Sequence, residues 1–551
     1  MSDKKTRPAV AGPLDPKRLS RRDFLKIGGA GLTGAALLGV AGCGGGEGGQ
    51  QSGGSGNGSG NGGGQFTIAW DQEPAILNLT VVGGDLVATA AVAACIMQSP
   101  LAIQPDLSYA PLLLQGDPEI TSEDPFTVEF EFRDGLTWSD GEALTADDWI
   151  FTYEQITNKD NQIISREVWD SIETVETPND LSVRVIFSEP DARWRDMLGN
   201  NYPVFPRHIY EGEDFNEAAN NELVGSGPYK FVEWRKGQNI TLEANENYWG
   251  DAPQIKKITW RFIPDTNALK AALRSGEVQF INPPPDIGLI PELESYDGVE
   301  VQTAFGTVWE HLAFQLEKID NINIRKAIAF GVNREQLINE ILQGDARELQ
   351  SVLVPENGDY YTPAWDIYPF DSDQARQLVQ QAEGEGASTE IQFSTTSGAA
   401  LRETAQQVIR QQMEDIGITL TIDNSSAETF FGERTVEGDF EMGEWAWQAT
   451  PDPSLTTLFG AQNQPPSGQN YYRYKNEEAT RLMEEADRTI EENRRAELTR
   501  QAQDIMAEDC PLVPLYQRPE IYGYSQDLKG PEVNPTLATA LWNVVEWTYG
   551  G

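Results

Sequence analysis

A layered, mixed α/β protein of two or three domains is what this sequence predicts, and three observations predict it. The chain has 551 residues, more than one small core can organise. Apolar alternation with a period of two recurs between stretches whose apolar residues return every three to four positions, so strands and helices are interspersed. At Ile416-Gly417-Ile418 a helical stretch passes directly into a strand, the connection that lays helices on a sheet.

Residues 1–42 form an export segment that is removed from the mature chain. Ser20-Arg21-Arg22-Asp23-Phe24-Leu25-Lys26 has the twin-arginine pattern, with Arg21 and Arg22 as its pair, and residues 27–42 carry no charge. Basic residues followed by an apolar run are the order of a signal segment. A membrane-spanning helix needs about 20 mostly apolar residues, and this stretch has sixteen, including Gly28, Gly29, Gly31, Gly34, Gly39 and Gly42. Val40-Ala41-Gly42-Cys43 then reads as a lipoprotein cleavage site, so Cys43 is expected to become the lipid-carrying N-terminus. The address is extracytoplasmic, lipid-anchored to the cell membrane, facing the periplasm or the outer cell surface. Residues 44–64 are Gly, Ser, Asn and Gln with one acid and have nothing to bury. They predict a disordered tether with a root-mean-square reach of about 25 Å.

The globular part opens at Gln65. Phe66, Ile68 and Trp70 alternate as a strand. Asp134-Gly135 and Asp140-Gly141 punctuate a strand pair, after which Thr145 and Asp148 have the spacing of a helix capping box, which makes these acids caps rather than catalysts. Gly225-Ser226-Gly227-Pro228 sets the entry to a hairpin in which Tyr229 and Phe231 alternate, Lys236-Gly237 turns, and Ile240 and Leu242 return. Asn333 starts a helix with Leu337, Ile338, Ile341 and Leu342 on one face, and Gly344 suits its end. Leu401, Ala405, Val408, Ile409 and Ile416 repeat that pattern before the strand of Ile418, Leu420 and Ile422. Two charged helices fill residues 476–508, and Cys510-Pro511-Leu512-Val513-Pro514-Leu515-Tyr516 returns extended because prolines stop the helix.

Charge excludes several partners. The export segment takes eight of 41 Lys/Arg and three of 86 Asp/Glu, which leaves 33 against 83 and a formal charge of −50. Nucleic-acid binding rests on cations that neutralise phosphates, and an electrostatic hold on anionic lipid needs them too. The membrane contact is therefore left to the lipid. The acids are spread along the chain, which reads as a solvated, self-repelling surface that aids solubility or tolerates salt. Cys95 and Cys510 are the thiols left after Cys43; a bridge between them and two unrelated buried thiols are both open.

Catalysis finds little to stand on. His208 and His311 are the only histidines, and HExxH, CxxC, GxSxG and a phosphate-loop Gly-Lys pair are all missing. No catalytic residue, metal set or cofactor is expected. Gly29 to Gly34 spells GxGxxG inside the export segment without a preceding strand, so it is coincidence. A glycosidase built on two carboxylates is the rival from another class, although acids are too abundant here to single out a pair. Aromatic residues favour binding: Glu444-Trp445-Ala446-Trp447 precedes Thr450-Pro451-Asp452-Pro453, and alternation turns both rings to one side. Core packing and a cleft wall are equally served by such rings.

Many segments in order carry a resemblance. They are Phe130 to Leu136 with Asp140-Gly141 and Leu144 to Asp148, Val224-Gly225-Ser226-Gly227-Pro228-Tyr229 with Glu243-Ala244-Asn245 and Asn247-Tyr248-Trp249, Ser275-Gly276-Glu277-Val278, Ile324-Arg325-Lys326-Ala327-Ile328, and Val332-Asn333-Arg334. From about Phe66 to Tyr524 the chain resembles the family 5 extracytoplasmic solute-binding proteins of ABC importers, the group of oligopeptide-, dipeptide- and nickel-binding proteins. The resemblance implies a two-lobed periplasmic-binding-protein-like α/β fold with mixed sheets, an enlarged first lobe and a ligand cleft between lobes. Lobe one would be residues 65–312 plus 510–551, and lobe two residues 313–509. It implies a monomeric, non-enzymatic subunit that captures a peptide or other polar oligomer and delivers it to a membrane permease.

The family's peptide binders place an Asp shortly after a Trp in the segment matching Trp445 to Pro453, where it pairs with the peptide ammonium. Here Ala446 to Pro451 supply no carboxylate. An unpartnered buried ammonium costs roughly 3 to 5 kcal/mol, more than two decades of affinity, so another acid must serve, with Asp452 or Glu444 the nearest. Oligopeptide is the first expectation and oligosaccharide the alternative, since Trp445 and Trp447 suit sugar stacking; nickel is disfavoured by the two histidines. The expected contacts are Trp445, Trp447, Asp452 and Glu444, joined by Trp309 and Phe305 from the lobe crossing.

Overall fold

Two long strands, Val299–Phe314 and Leu512–Ser525, run antiparallel through the computed structural model. The structure describes residues 66–550 except 82–83, 85–86, 167, 200–201, 218, 221, 284–287, 427–428, 466–467, 535 and 537–538. Cys43, Arg21, Arg22 and the tether therefore lie outside the described residues. The two strands are in register from Val299 opposite Ser525 to Phe305 opposite Pro519, and again from Trp309 opposite Gln517. Between these, residues 306–308 stand against Arg518 alone, and a second irregularity follows Glu310. Pro519 borders the first irregularity and Pro514 the second, where a residue without an amide hydrogen breaks the least ladder. Gln517 Nε2 closes the first by donating to the Gly306 carbonyl at 2.7 Å.

These strands are the middle of a mixed sheet that has eleven strands among the described residues. On one side follow Met442–Gln448, Glu390–Ser394 and Thr419–Ile422, and on the other Phe280–Asn282, Phe66–Trp70, Lys257–Phe262, Asn239–Ala244 and Tyr229–Arg235, while Arg347–Glu348 pairs with Leu512–Ser525 off this path. Alternation along this sheet feeds two hydrophobic clusters. Phe66, Ile68 and Trp70 enter one, while Ala69 between them enters the other, because successive side chains point to opposite faces. Leu512, Val513, Leu515 and Ile521 belong to the second cluster, and Tyr522 and Tyr524 to the first. A separate four-stranded antiparallel sheet, Glu119–Glu123, Phe126–Glu131, Ser182–Phe187 and Ile172–Asn179, adjoins the first cluster.

The local signals have identifiable causes. The helix Ala146–Thr157 starts at Thr145, whose amide donates to Asp148 Oδ2 at 2.9 Å. Asp148 also accepts from the Arg207 amide at 2.9 Å, so this acid is a structural cap. The hairpin Tyr229–Arg235 with Asn239–Ala244 forms as the alternation predicts. Its entry glycines serve close approach: a Cβ on Gly225 or Gly227 would sit 2.0 or 2.6 Å from the Ile96 carbonyl oxygen. Asn333 caps Arg334–Leu342 through the Gln336 amide, and Gly417, at φ 95°, ends Ala400–Ile416 before Thr419–Ile422. Arg325 and Arg334, both in the resembling segments, are buried. Arg325 donates to the carbonyls of Ile319, Asp320, Asp509 and Cys510, and Arg334 to that of Pro514. Through these bonds the two buried cations tie the second cluster to the start of the returning strand.

Cys95 and Cys510 are free, and each is buried in a different cluster. Burial pushes the Cys510 thiol up to about 12 and raises that of Cys95 as well. They are two unrelated core thiols.

Candidate functional site

The strand Met442–Gln448 lies beside Val299–Phe314 with Trp445 opposite His311 and Trp447 opposite Trp309. All four rings share a face, as alternation requires, yet they do not share an environment. Trp445 is fully buried. Phe430 and Phe440 meet it edge-on at 6.0 and 5.7 Å, and Tyr472 tilts against it at 5.7 Å. Trp309 is buried too, 5.0 Å from His311. Both are expected from the sequence to contact solute, but neither lines the hollow that opens beside Trp447, and residues from helical and loop segments pack against Trp445. Trp447, at the outer end, is half-buried. Its Nε1 donates to the Tyr472 hydroxyl at 2.8 Å, and its ring lies parallel to Tyr471 at 6.0 Å.

Trp447 lines a solvent-open hollow of about 1170 Å³ together with Tyr109, Arg193, Asp196, Gln448 and Asp452. A second hollow of about 1130 Å³ adjoins it, sharing Tyr109, Pro451 and Asp452 and adding Arg195, Tyr360 and Arg495. A concave hollow with convergent polar groups has the character of a ligand site.

Asp452 is buried, and its Oδ1 accepts from Arg495 at 2.6 Å. Arg495 also donates to the Tyr360 hydroxyl at 2.6 Å and to the Ala192 carbonyl at 2.7 Å. Burial raises the Asp452 carboxyl and Arg495 pulls it back. Half of this acid is therefore engaged in holding the protein together. Asp196 faces the same hollow and accepts from the Tyr109 hydroxyl at 2.5 Å. Part of its surface meets solvent, but it sits deep between the walls. Burial first, and then the charge of Asp452, push it up to about 7, against the pull of Tyr109 and Arg193.

Glu444 and Phe305 are not where the sequence reading put them. Glu444 is fully buried beneath the sheet, neither carboxyl oxygen finding a partner among the described residues. Burial and then the neighbouring Glu310 hold its carboxyl well above the usual range. Glu310 takes both Arg402 bonds at 3.0 Å. The period-2 pattern turns Glu444 away from the Trp447 face, so it cannot reach the hollow. Phe305 packs under the Arg347 guanidinium at 4.2 Å and lines neither hollow.

The histidines play no part in the hollows. His311 Nε2 meets the Tyr472 hydroxyl at 2.7 Å in the core, and burial pushes its pKa well down. His208 pairs with Asp140 at 2.8 Å near the surface. Among the described residues no group of three or more His, Cys, Asp and Glu is placed to hold a metal ion.

Sequence reasoning missed Tyr109, Asp196 and Arg495, which meet only in space. The signal that existed was Asp191-Ala192-Arg193-Trp194-Arg195-Asp196, charges of both signs around a tryptophan after Pro190.

The family model described as bacterial extracellular solute-binding proteins, family 5 Middle, matches residues 108–466. Among curated proteins the chain is similar to the oligopeptide-binding protein AppA of Bacillus subtilis, 25% identical over 442 residues that cover 76% of this chain and 80% of that one. It is also similar to the glutathione-binding protein GsiB of Salmonella typhimurium, 24% identical over 458 residues covering 81% and 88%. Among solved structures, AppA of Bacillus subtilis in complex with a nonapeptide superposes with a TM-score of 0.73 at 22% identity, over 89% of this chain and 99% of that one. A periplasmic EDTA-binding protein, EppA, gives 0.80 at 20% identity over 89% and 97%. These superpositions show the two-lobed, mixed α/β fold.

Proposed function

Because this chain belongs to the bacterial extracellular solute-binding proteins of family 5, we propose that it captures an oligopeptide in the hollow beside Trp447 and delivers it to an ABC permease. The carrying observation is that Tyr109 and Asp196 face Trp447 and Asp452 across one hollow. With lobe one at residues 65–312 plus 510–551 and lobe two at 313–509, these are walls from different lobes. The lobes touch where the Ala192 amide donates to the Asp487 carbonyl at 2.7 Å, where Arg495 reaches the Ala192 carbonyl, and where Arg488 pairs with Glu189 at 3.1 Å. A solute that touches both walls stabilises the closed arrangement by its extra contacts there. On these bounds the chain crosses between lobes at 312/313 and 509/510, close to the second irregularity of the strand pair, after Glu310, and the two crossings would form the hinge.

Titrating the protein with peptide mixtures, and separately with oligosaccharides, while following its 14 tryptophans tests this reading. Saturable change with peptide and without product is the expected result; turnover of a glycoside would sink it, and saturation by sugars alone would move the cargo to oligosaccharide. Trp447→Ala is expected to weaken a bound peptide roughly tenfold or more, since a half-buried aromatic anchor typically carries above 1 kcal/mol. Unchanged affinity would remove Trp447 from the site.

The anchoring belongs to the same proposal. Twin-arginine export through Arg21 and Arg22 followed by lipidation of Cys43 would hold a monomeric carrier within tether reach of its permease. Cys43→Ser is expected to shift the protein from the membrane fraction to the soluble one; persistent membrane retention would overturn the anchor.

A further inference from the structure

We propose that the turn between the helices Glu477–Arg488 and Glu492–Asp509 and the segment Pro190-Asp191-Ala192-Arg193 form a clasp that holds the two lobes closed before any solute arrives. The inference rests on the lobe bounds of the carrier reading and not on its cargo. The Asp487 carbonyl lies in the last turn of its helix, where a carbonyl finds no intrahelical partner. The Ala192 amide of lobe one supplies the missing donor at 2.7 Å. Arg495, near the start of the next helix, donates to the carbonyl of the same residue at 2.7 Å. Ala192 is thus gripped by both of its backbone polar groups. Ile490, on the turn itself, packs half-buried against the hydrophobic cluster of Phe66 and Trp194, whose buried members all come from lobe one.

The lobe-one side of the clasp is shaped by its own bonds. Asp191 Oδ1 accepts from the Arg193 amide at 2.9 Å and from its Nε at 3.1 Å, while Oδ2 accepts from the same guanidinium at 3.0 Å. The Trp194 amide donates to the Asp191 carbonyl at 3.2 Å. Such an Asp turn bends the segment around Ala192, and a segment already ordered loses little entropy on docking. At the rim Arg488 pairs with Glu189 at 3.1 Å, but both side chains are more than half exposed, so this pair adds little by itself. Every group in the clasp belongs to the protein, so it acts whether or not the hollows are filled. Ala192, Ile490 and Arg495 also line the second hollow, and the clasp therefore closes one side of it.

The consequence is a carrier that rests closed. A neutral hydrogen bond shifts such an equilibrium by about two- to tenfold, and one with a charged donor shifts it further. With the apolar contact of Ile490 added, closure without solute is favoured by about a hundredfold. Solute then enters during brief openings, and delivery requires the clasp to be undone.

Hydrogen exchange of the full chain, stripped of solute and read at single amides by mass spectrometry, tests the inference. The Ala192 amide is the reporter, because its bond is to the other lobe. It is expected to exchange about a hundredfold slower than an unstructured amide. Ile490→Asp should speed it at least tenfold while the strand Ser182–Phe187 keeps its protection, which shows that lobe one remains folded. Glu189→Lys should speed it a few-fold, and adding Arg488→Glu should restore it; this rescue decides the matter if Ile490→Asp also loosens the strand. An unstructured rate at Ala192 in the solute-free protein would overturn the clasp, since the lobes would then rest apart. Slow exchange that neither Ile490→Asp nor Glu189→Lys changes would overturn it too, because the shelter would lie within lobe one. Either result leaves the peptide reading standing, and a failed peptide titration leaves the clasp standing.

Discussion

Asp452→Ala is expected to destabilise the protein by about 3 to 5 kcal/mol, measured by urea unfolding followed at the tryptophans. The reason is the asymmetry of the pair it breaks. Arg495 is as buried as its partner, with 7% of its side chain exposed against 8%, and a guanidinium cannot shed its proton to escape. Two neutral acceptors, Tyr360 and the Ala192 carbonyl, would remain for it, but the compensating charge would be gone. The reciprocal change, Arg495→Met, should cost less in mild acid. Burial has already raised the Asp452 carboxyl and Arg495 is the main force pulling it back, so without Arg495 its folded pKa climbs further above the unfolded value. A carboxyl raised in this way contributes fully below the unfolded pKa and loses stability as pH rises through the folded one. The deficit of Arg495→Met should therefore grow from pH 5 to pH 8, while that of Asp452→Ala, which removes the raised carboxyl altogether, should not grow. Parallel pH profiles for the two variants would show that the pair does not carry the charge balance assigned to it.

Trp445→Ala should cost about 3 to 5 kcal/mol, the range for emptying a large aromatic site in a packed core. Trp447→Ala, two residues on and on the same face, should cost roughly 1 to 2 kcal/mol because its ring is only partly covered. The two variants should then exchange rank in a ligand titration, where only Trp447 has a wall to offer. Equal stability losses would mean that the difference in depth between the rings is wrong.

That pair also shows how far the sequence could be read. Period-2 alternation correctly put Trp445 and Trp447 on one side of one strand, and local rules found the Thr145 cap, the hairpin after Gly227, the Asn333 cap and the Gly417 stop, because each depends on neighbours within a few residues. Depth is different. Trp445 is covered by Phe430, Phe440 and Tyr472, which arrive from other elements and leave no trace in the strand's own pattern. Glu444 went the same way, turned beneath the sheet by the period that serves its neighbour. The acid pair was harder still: Asp196 and Asp452 lie far apart in a mature chain of 83 acids, and nothing local distinguishes either. Asp452 was picked out by its place after Trp447, but its union with Arg495 needed the fold.

The strand Leu512–Ser525 lies inside the sheet, between Val299–Phe314 and Phe280–Asn282, and beyond it Trp547 and Tyr549 close on Phe66 at 6.1 and 5.5 Å. The order of synthesis is thereby at odds with the order of assembly. Both hydrophobic clusters include side chains from Leu512 onward, and pairs such as Val299 with Ser525 join residues separated by most of the second half of this sequence. Closing such loops is slow, and until it happens the interior edges of two strands stand open to any other unpaired strand. The large sheet is therefore incomplete until Leu512–Ser525 has been made and has paired with both of its neighbours.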